Sequence, residues 1–194
     1  MKNLVLLSFG LFAISALPVA AQAASWSDGV NAAISSGKFE EIDRIAAANP
    51  TALGEIGLVL LDKSKSLASS NPEKAALIFA AATPFVGQIP DGKVDTAIAA
   101  IKTLLDAAKG ISGDQSSCVG ASKVYSSALN MSSQPNVVAQ SATLHDVALT
   151  DARSAVRSNS ACGSQGLDDQ VSLALQPNAP ALAGLQGAVV PSGD

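Results

Sequence analysis

The sequence predicts an all-α protein: a compact bundle of about six to eight short helices, stapled by one disulfide and followed by a flexible C-terminal tail. Three observations predict it. Hydrophobic residues make up 48% of the chain but aromatic residues only 4%. Alanine and serine are abundant instead; alanine is the best helix former, whereas sheets favour β-branched and aromatic side chains. Apolar residues recur at spacings of three and four, and helix-starting and helix-ending residues punctuate the chain at short intervals.

The N-terminal stretch "MKNLVLLSFGLFAISALPVAAQAAS" stands apart from that fold. Lys2 gives a positive start, Leu4 to Leu17 are apolar, Pro18 breaks the run, and Ala21-Gln22-Ala23 is a small–x–small cleavage pattern. This reads as a secretory signal peptide, 1–23, cut after Ala23. The apolar run is shorter than the roughly 20 residues that span a bilayer. The expected location is therefore the bacterial periplasm or the medium, with no membrane span in the mature chain. Residues 24–176 form the helical domain, and 177–194 a Pro/Gly-rich tail.

Each element of that domain has its own signal. Ser27-Asp28 is a capping pair for a first helix over 28–36, which Gly37 ends. Phe39, Ile42, Ile45 and Ala46 share one face of a second helix, with Glu40–Arg44 as an i,i+4 ion pair. Asn49-Pro50 and Asn71-Pro72 each place a capping residue before a proline at the first helical position. The first launches a helix over 50–68, with Leu53, Ile56, Leu60 and Leu67 inward. The second launches "PEKAALIFAAATPFVG", charged only in its first turn. A helix apolar all round is a buried one, so Leu77, Ile78 and Phe79 are the expected centre of the core, or the wall of an apolar pocket. Pro84 stops or kinks this helix.

Pro90-Asp91-Gly92 turns the chain into a helix over 93–109, where Val94, Ile98, Ile101, Leu104, Leu105 and Ala108 recur at helical spacing up to Gly110. A helix over 115–131 follows, then a break at "SSQPN", then a long helix over 136–158 with a polar stripe of Asp146, Thr150, Arg153 and Arg157. A short helix over 167–176 precedes the tail. The short paired helices from 28 to 109 fit a closed bundle of αα-hairpins or a helical repeat equally well.

Cys118 and Cys162 are the only cysteines. In an oxidising compartment an even pair reads as a disulfide, worth roughly 4 kcal/mol on the chain-entropy model. They are far apart in sequence and share the chain with a single histidine, which is too few ligands for a usual zinc site. No metal or cofactor is expected, since the phosphate-binding glycine loops, the haem attachment motif and the calcium loop are all missing from the sequence. A net charge of −4 argues against nucleic acid.

His145, beside Asp146, is the one weak catalytic candidate. Neighbouring residues on a helix point about 100° apart, so Asp146 is badly placed to orient the ring. A boundary histidine is the plainer reading. The sequence thus leads to a non-catalytic interaction or scaffold protein with an unknown protein partner. The alternatives are an apolar small-molecule or lipid-binding bundle and, less favoured, a cell-envelope hydrolase. The oligomeric state stays open.

Overall fold

The computed structural model describes residues 19–109, 115–158 and 168–174. In chain order the helices are α1 (Val19–Ser36), α2 (Glu40–Ala48), α3 (Leu53–Leu67), α4 (Pro72–Ala82), α5 (Val94–Lys109), α6 (Gln115–Ser132), α7 (Pro135–Gln140), α8 (Leu144–Ser158) and α9 (Asp168–Ala174). Short 3-10 turns cover Pro50–Ala52, Thr83–Gln88 and Asp91–Lys93. No strand occurs among the described residues, so the expected all-α bundle stands. No single helix among them is long and apolar enough to cross a membrane.

The antiparallel pair α3–α4 forms the middle of the bundle. α6 packs along α4, α5 bridges α3 and α6, and α8 closes against α5 and α6. α1 pairs with α2 at one end, and α9 rests on α8 at the other. One apolar cluster runs through the whole assembly, from Val30 and Ile34 through Ile56, Leu60 and Phe79 to Leu129, Ala148 and Val171. Each fully buried Ile, Leu or Phe in it is worth about 1.5–3 kcal/mol of transfer free energy.

Several boundaries follow the local chemistry. Gly37 adopts φ 73°, the left-handed conformation that ends α1. The Lys38 amide then reaches back to the Ala33 carbonyl at 3.0 Å, the long hydrogen bond of a Schellman stop. Asn71 caps α4 as expected, its Oδ1 accepting from the Lys74 amide at 3.1 Å. Pro90-Asp91-Gly92 leads through a 3-10 turn into α5.

Other expectations are corrected. Ser27-Asp28 does not start α1, which is already helical at Val19, the first described residue. The alanine-rich "VAAQAAS" propagates the helix through that pair, so the capping residues lie inside it. Asn49 makes no side-chain cap. Its Nδ2 donates backwards to the Ile45 carbonyl at 2.8 Å, closing α2 rather than opening α3. The chain then turns by 109° between α2 and the segment Pro50–Leu67. Arg44 pairs with Glu41, not Glu40. Pro84 behaves as expected: α4 ends at Ala82, and the chain tightens into 3-10 geometry that carries Phe85 and Val86 into the core.

The long helix expected over 136–158 is two helices. Ser141 leaves helical geometry at φ −148°, ψ 76°. No proline or glycine marks the break; tertiary anchors do. Asn136 Nδ2 donates to the Val86 and Ile89 carbonyls at 2.9 and 3.1 Å. Gln140 Nε2 donates to the Asp91 carbonyl at 2.6 Å. These bonds fasten α7 to the 83–91 connection, while α8 aligns with α6. The C-terminal part of the 167–176 helix, Gly110, the tail 177–194 and Cys162 lie outside the described residues. Cys118 is buried in α6 at 2% exposure.

Candidate functional site

α4 is not buried all round, and this is the main correction to the expected site. Ile78 and Phe79 are fully buried, but Leu77 keeps 40% of its surface exposed. Helical geometry explains the difference. At about 100° per residue, Leu77 falls between Glu73 and Lys74, the charged residues of the first turn. Ala75, Ala76, Ile78, Phe79 and Ala82 occupy the opposite arc, and all are buried. Alanine at 80 and 81 supplies helix propensity on the flank without adding apolar bulk.

Two open grooves meet at Leu77. One, of about 360 Å³, lies between α4 and the α1–α2 turn, walled by Gly37, Phe39, Asn71 and Lys74. The other, of about 320 Å³, lies between α4 and α6, walled by Val119, Gly120 and Lys123. Glu73 and Leu77 belong to both. The Gly37 stop aims the α1–α2 turn at this surface, and the Asn71 cap fixes the first turn of α4 beside it. At Gly120 an added Cβ would meet nothing within 4 Å, so this position faces the open space of the second groove. The result is an apolar ridge, Leu77 with Phe39 and Val119 at its flanks, rimmed by Glu73, Lys74 and Lys123. Phe39, Val119 and Gly120 were not expected at a site. The signal for Leu77 was present, since the first-turn charges mark the outward arc on which it sits.

His145 is half-buried at the start of α8. Its Nδ1 lies 3.0 Å from the Ser132 Oγ, at the end of α6. Its close partner is thus Ser132, not Asp146. That hydroxyl is completely buried and is also within 3.2 Å of the Leu129 carbonyl, which leaves a substrate no approach to it. The pair joins the end of α6 to the beginning of α8. Among the described residues no group of three or more metal-ligating side chains comes together.

A charged cluster ties α5, α6 and α8. Lys109 Nζ lies 3.0 Å from Asp151 Oδ2 and 3.2 Å from Asp106 Oδ1. The Asp151 oxygen is buried without a well-directed hydrogen bond, so the ammonium serves it as charge at contact distance. Contact with Asp151 raises Lys109 above its usual 10.5; burial opposes this, and Asp106 adds to it. Burial, with the Asp151 charge behind it, raises Tyr125 above 10.0, against the pull of Lys109. Both folded values exceed the unfolded ones, so both contributions to stability are complete below pH 10.0 and fade as pH climbs through the folded values. Tyr125 is the single tyrosine, so phenolate absorbance reports it alone. Its titration midpoint is expected above that of the denatured chain, with the melting temperature falling over the same alkaline range. A midpoint at or below the denatured value would contradict the burial argument.

No protein-family model, characterised protein or solved structure matches the chain.

Proposed function

We propose that the chain is an exported, non-catalytic helical interaction module that takes a protein partner on the Leu77 face. One observation carries the reading: a large apolar side chain stands exposed where two open grooves meet, beside a charged rim. Protein interfaces pair an apolar centre with a polar rim in this way. The second reading, an apolar small molecule or lipid on the same face, draws on groove volumes near the lower end for ligand sites. Grooves this open shield a small molecule less than they shield a protein ridge. A hydrolase centred on His145 has the least support, because its serine neighbour is sealed in.

Export rests on the N-terminal pattern of Lys2, the apolar run and Ala21-Gln22-Ala23. A Cys118–Cys162 bridge belongs to the same reading. It is supported by the oxidising destination and by Cys118 not being a free thiol. Alkylation of the exported protein without reductant should label no thiol; two labelled thiols would remove the bridge.

The experiment is a photo-cross-linking residue at Leu77, expressed in the native host, with the exposed Lys102 of α5 as the comparison position. A discrete, stoichiometric protein adduct from position 77 alone is the expected result. Equal adducts from both positions, or none from either, defeats the partner reading. A persistent extra mass on the purified protein, without any adduct, favours the ligand reading in its place.

A further inference from the structure

We propose that the outer face of α8 is a binding site for an oxyanion of the phosphate or sulfate class, gripped between Arg153 and Arg157. These two residues and the hydroxyl side chains of Thr150 and Ser154 line a groove of about 330 Å³. At about 100° and 1.5 Å per residue, the four positions fall within an arc of roughly 100° and a length of roughly 10 Å. Two guanidinium forks and two hydroxyls therefore converge on one patch, the donor set that matches a tetrahedral oxyanion.

Three features favour an anion at this patch. First, among the described residues neither arginine takes part in an ion pair; the pairs there involve Arg44, Lys93 and Lys109. This occurs in a chain of net charge −4, where carboxylates outnumber cations. Asp146 shares the stripe but lies about 10 Å along the axis from Arg153, and Asp151, next in sequence to Ala152, is turned inward onto Lys109.

Second, like charges at i,i+4 on a bare helix oppose each other by a few tenths of a kcal/mol. Arg157 alone would be explained by its place in the last turn, where the helix dipole favours cations. Arg153 stands a turn too early for that. An anion between the two turns their repulsion into shared attraction.

Third, the hydroxyls are available. Several helical serines and threonines bond back to a carbonyl three or four residues earlier, as Ser36, Ser66, Thr103 and Ser158 do. Thr150 and Ser154 make no such bond.

A free anion and a phosphate carried on a lipid headgroup would present the same chemistry, and the experiment separates them. Thermal melts of the purified chain are compared in inorganic phosphate and in chloride at matched ionic strength. Flotation is measured with phosphatidylcholine vesicles, with and without phosphatidylglycerol. Arg153→Gln and Arg157→Gln are the test variants, and Arg44→Gln is the control. The variants should melt like the parent in chloride, since neither arginine is paired. Phosphate at ten times its Kd should raise the melting temperature of the parent and of Arg44→Gln by about 3–5 °C. Each test variant should lose most of that shift. Binding only to phosphatidylglycerol vesicles, lost in the same two variants, supports the site with a surface-borne phosphate as its ligand. No response to either probe, or responses that survive both substitutions, overturns the proposal.

Discussion

Phe79→Ala should remove about 3–5 kcal/mol of stability, while Leu77→Ala, two residues away on the same helix, should remove about 1 kcal/mol or less. The contrast follows from where each side chain points. Phe79 is completely buried on the arc of α4 that faces the bundle interior, inside the apolar cluster formed with α3 and α6. Truncating it strips the ring from a site whose neighbours are themselves held by packing, and the cavity cannot collapse fully. Leu77 already meets water over 40% of its surface, so its truncation opens no cavity. Denaturant melts of the two variants decide the matter. If Leu77→Ala were as damaging as Phe79→Ala, the surface reading of α4 would fail, and with it the candidate site. If only Phe79→Ala is damaging, Leu77 is free to serve a partner and can be altered without confusing loss of binding with loss of fold.

How much of this was legible in the sequence depends on whether the cause was local. Where glycine, proline or asparagine acts on its own neighbours, the boundary could be read: the Gly37 stop, the Asn71 cap, the turn into α5 and the break before Pro135. Where the cause is tertiary, it could not. The separation of α7 from α8 arises because Asn136 and Gln140 bond to carbonyls about fifty residues earlier, and no proline or glycine at 141–143 announces it. Ser27-Asp28 fails as a helix start for the opposite reason. A plausible cap was visible, but the alanines before it already favoured helix.

The candidate site was half-legible. Composition alone made α4 look buried on every side, yet Glu73 and Lys74 locate its outward arc and put Leu77 on it. Phe39, Val119 and Gly120 could not be placed beside Leu77 without knowing that the α1–α2 turn and α6 flank α4. The oxyanion face was the reverse case. The stripe of Thr150, Arg153 and Arg157 could be read, but only the structure shows that Asp151 turns away to Lys109 and leaves the arginines without carboxylates.

Two helical glycines should respond to alanine with opposite signs. On propensity alone each replacement would favour the helix by up to about 1 kcal/mol. Gly120→Ala should realise that gain, because its Cβ would project into open groove with nothing within 4 Å. Gly54→Ala should instead destabilise by about 2 kcal/mol or more, lowering the melting temperature by about 4–8 °C. A Cβ at position 54 would run into the Gln88 carbonyl oxygen, with the Gln88 carbonyl carbon at 3.0 Å and Ile89 Cα at 3.2 Å. These are backbone atoms, so no side chain can swing aside. Gly57, one turn further along α3, faces the Phe85 Cβ at 3.0 Å in the same way. The two glycines thus form the bed on which the Thr83–Gln88 segment lies against α3, and that segment with the adjoining Ile89 in turn carries the carbonyls that Asn136 holds. Displacing it should loosen α7 as well, seen as faster amide exchange at Val137 and Val138. A stabilising Gly54→Ala, with α7 exchange unchanged, would mean that α3 and the 83–88 segment do not approach as closely as described.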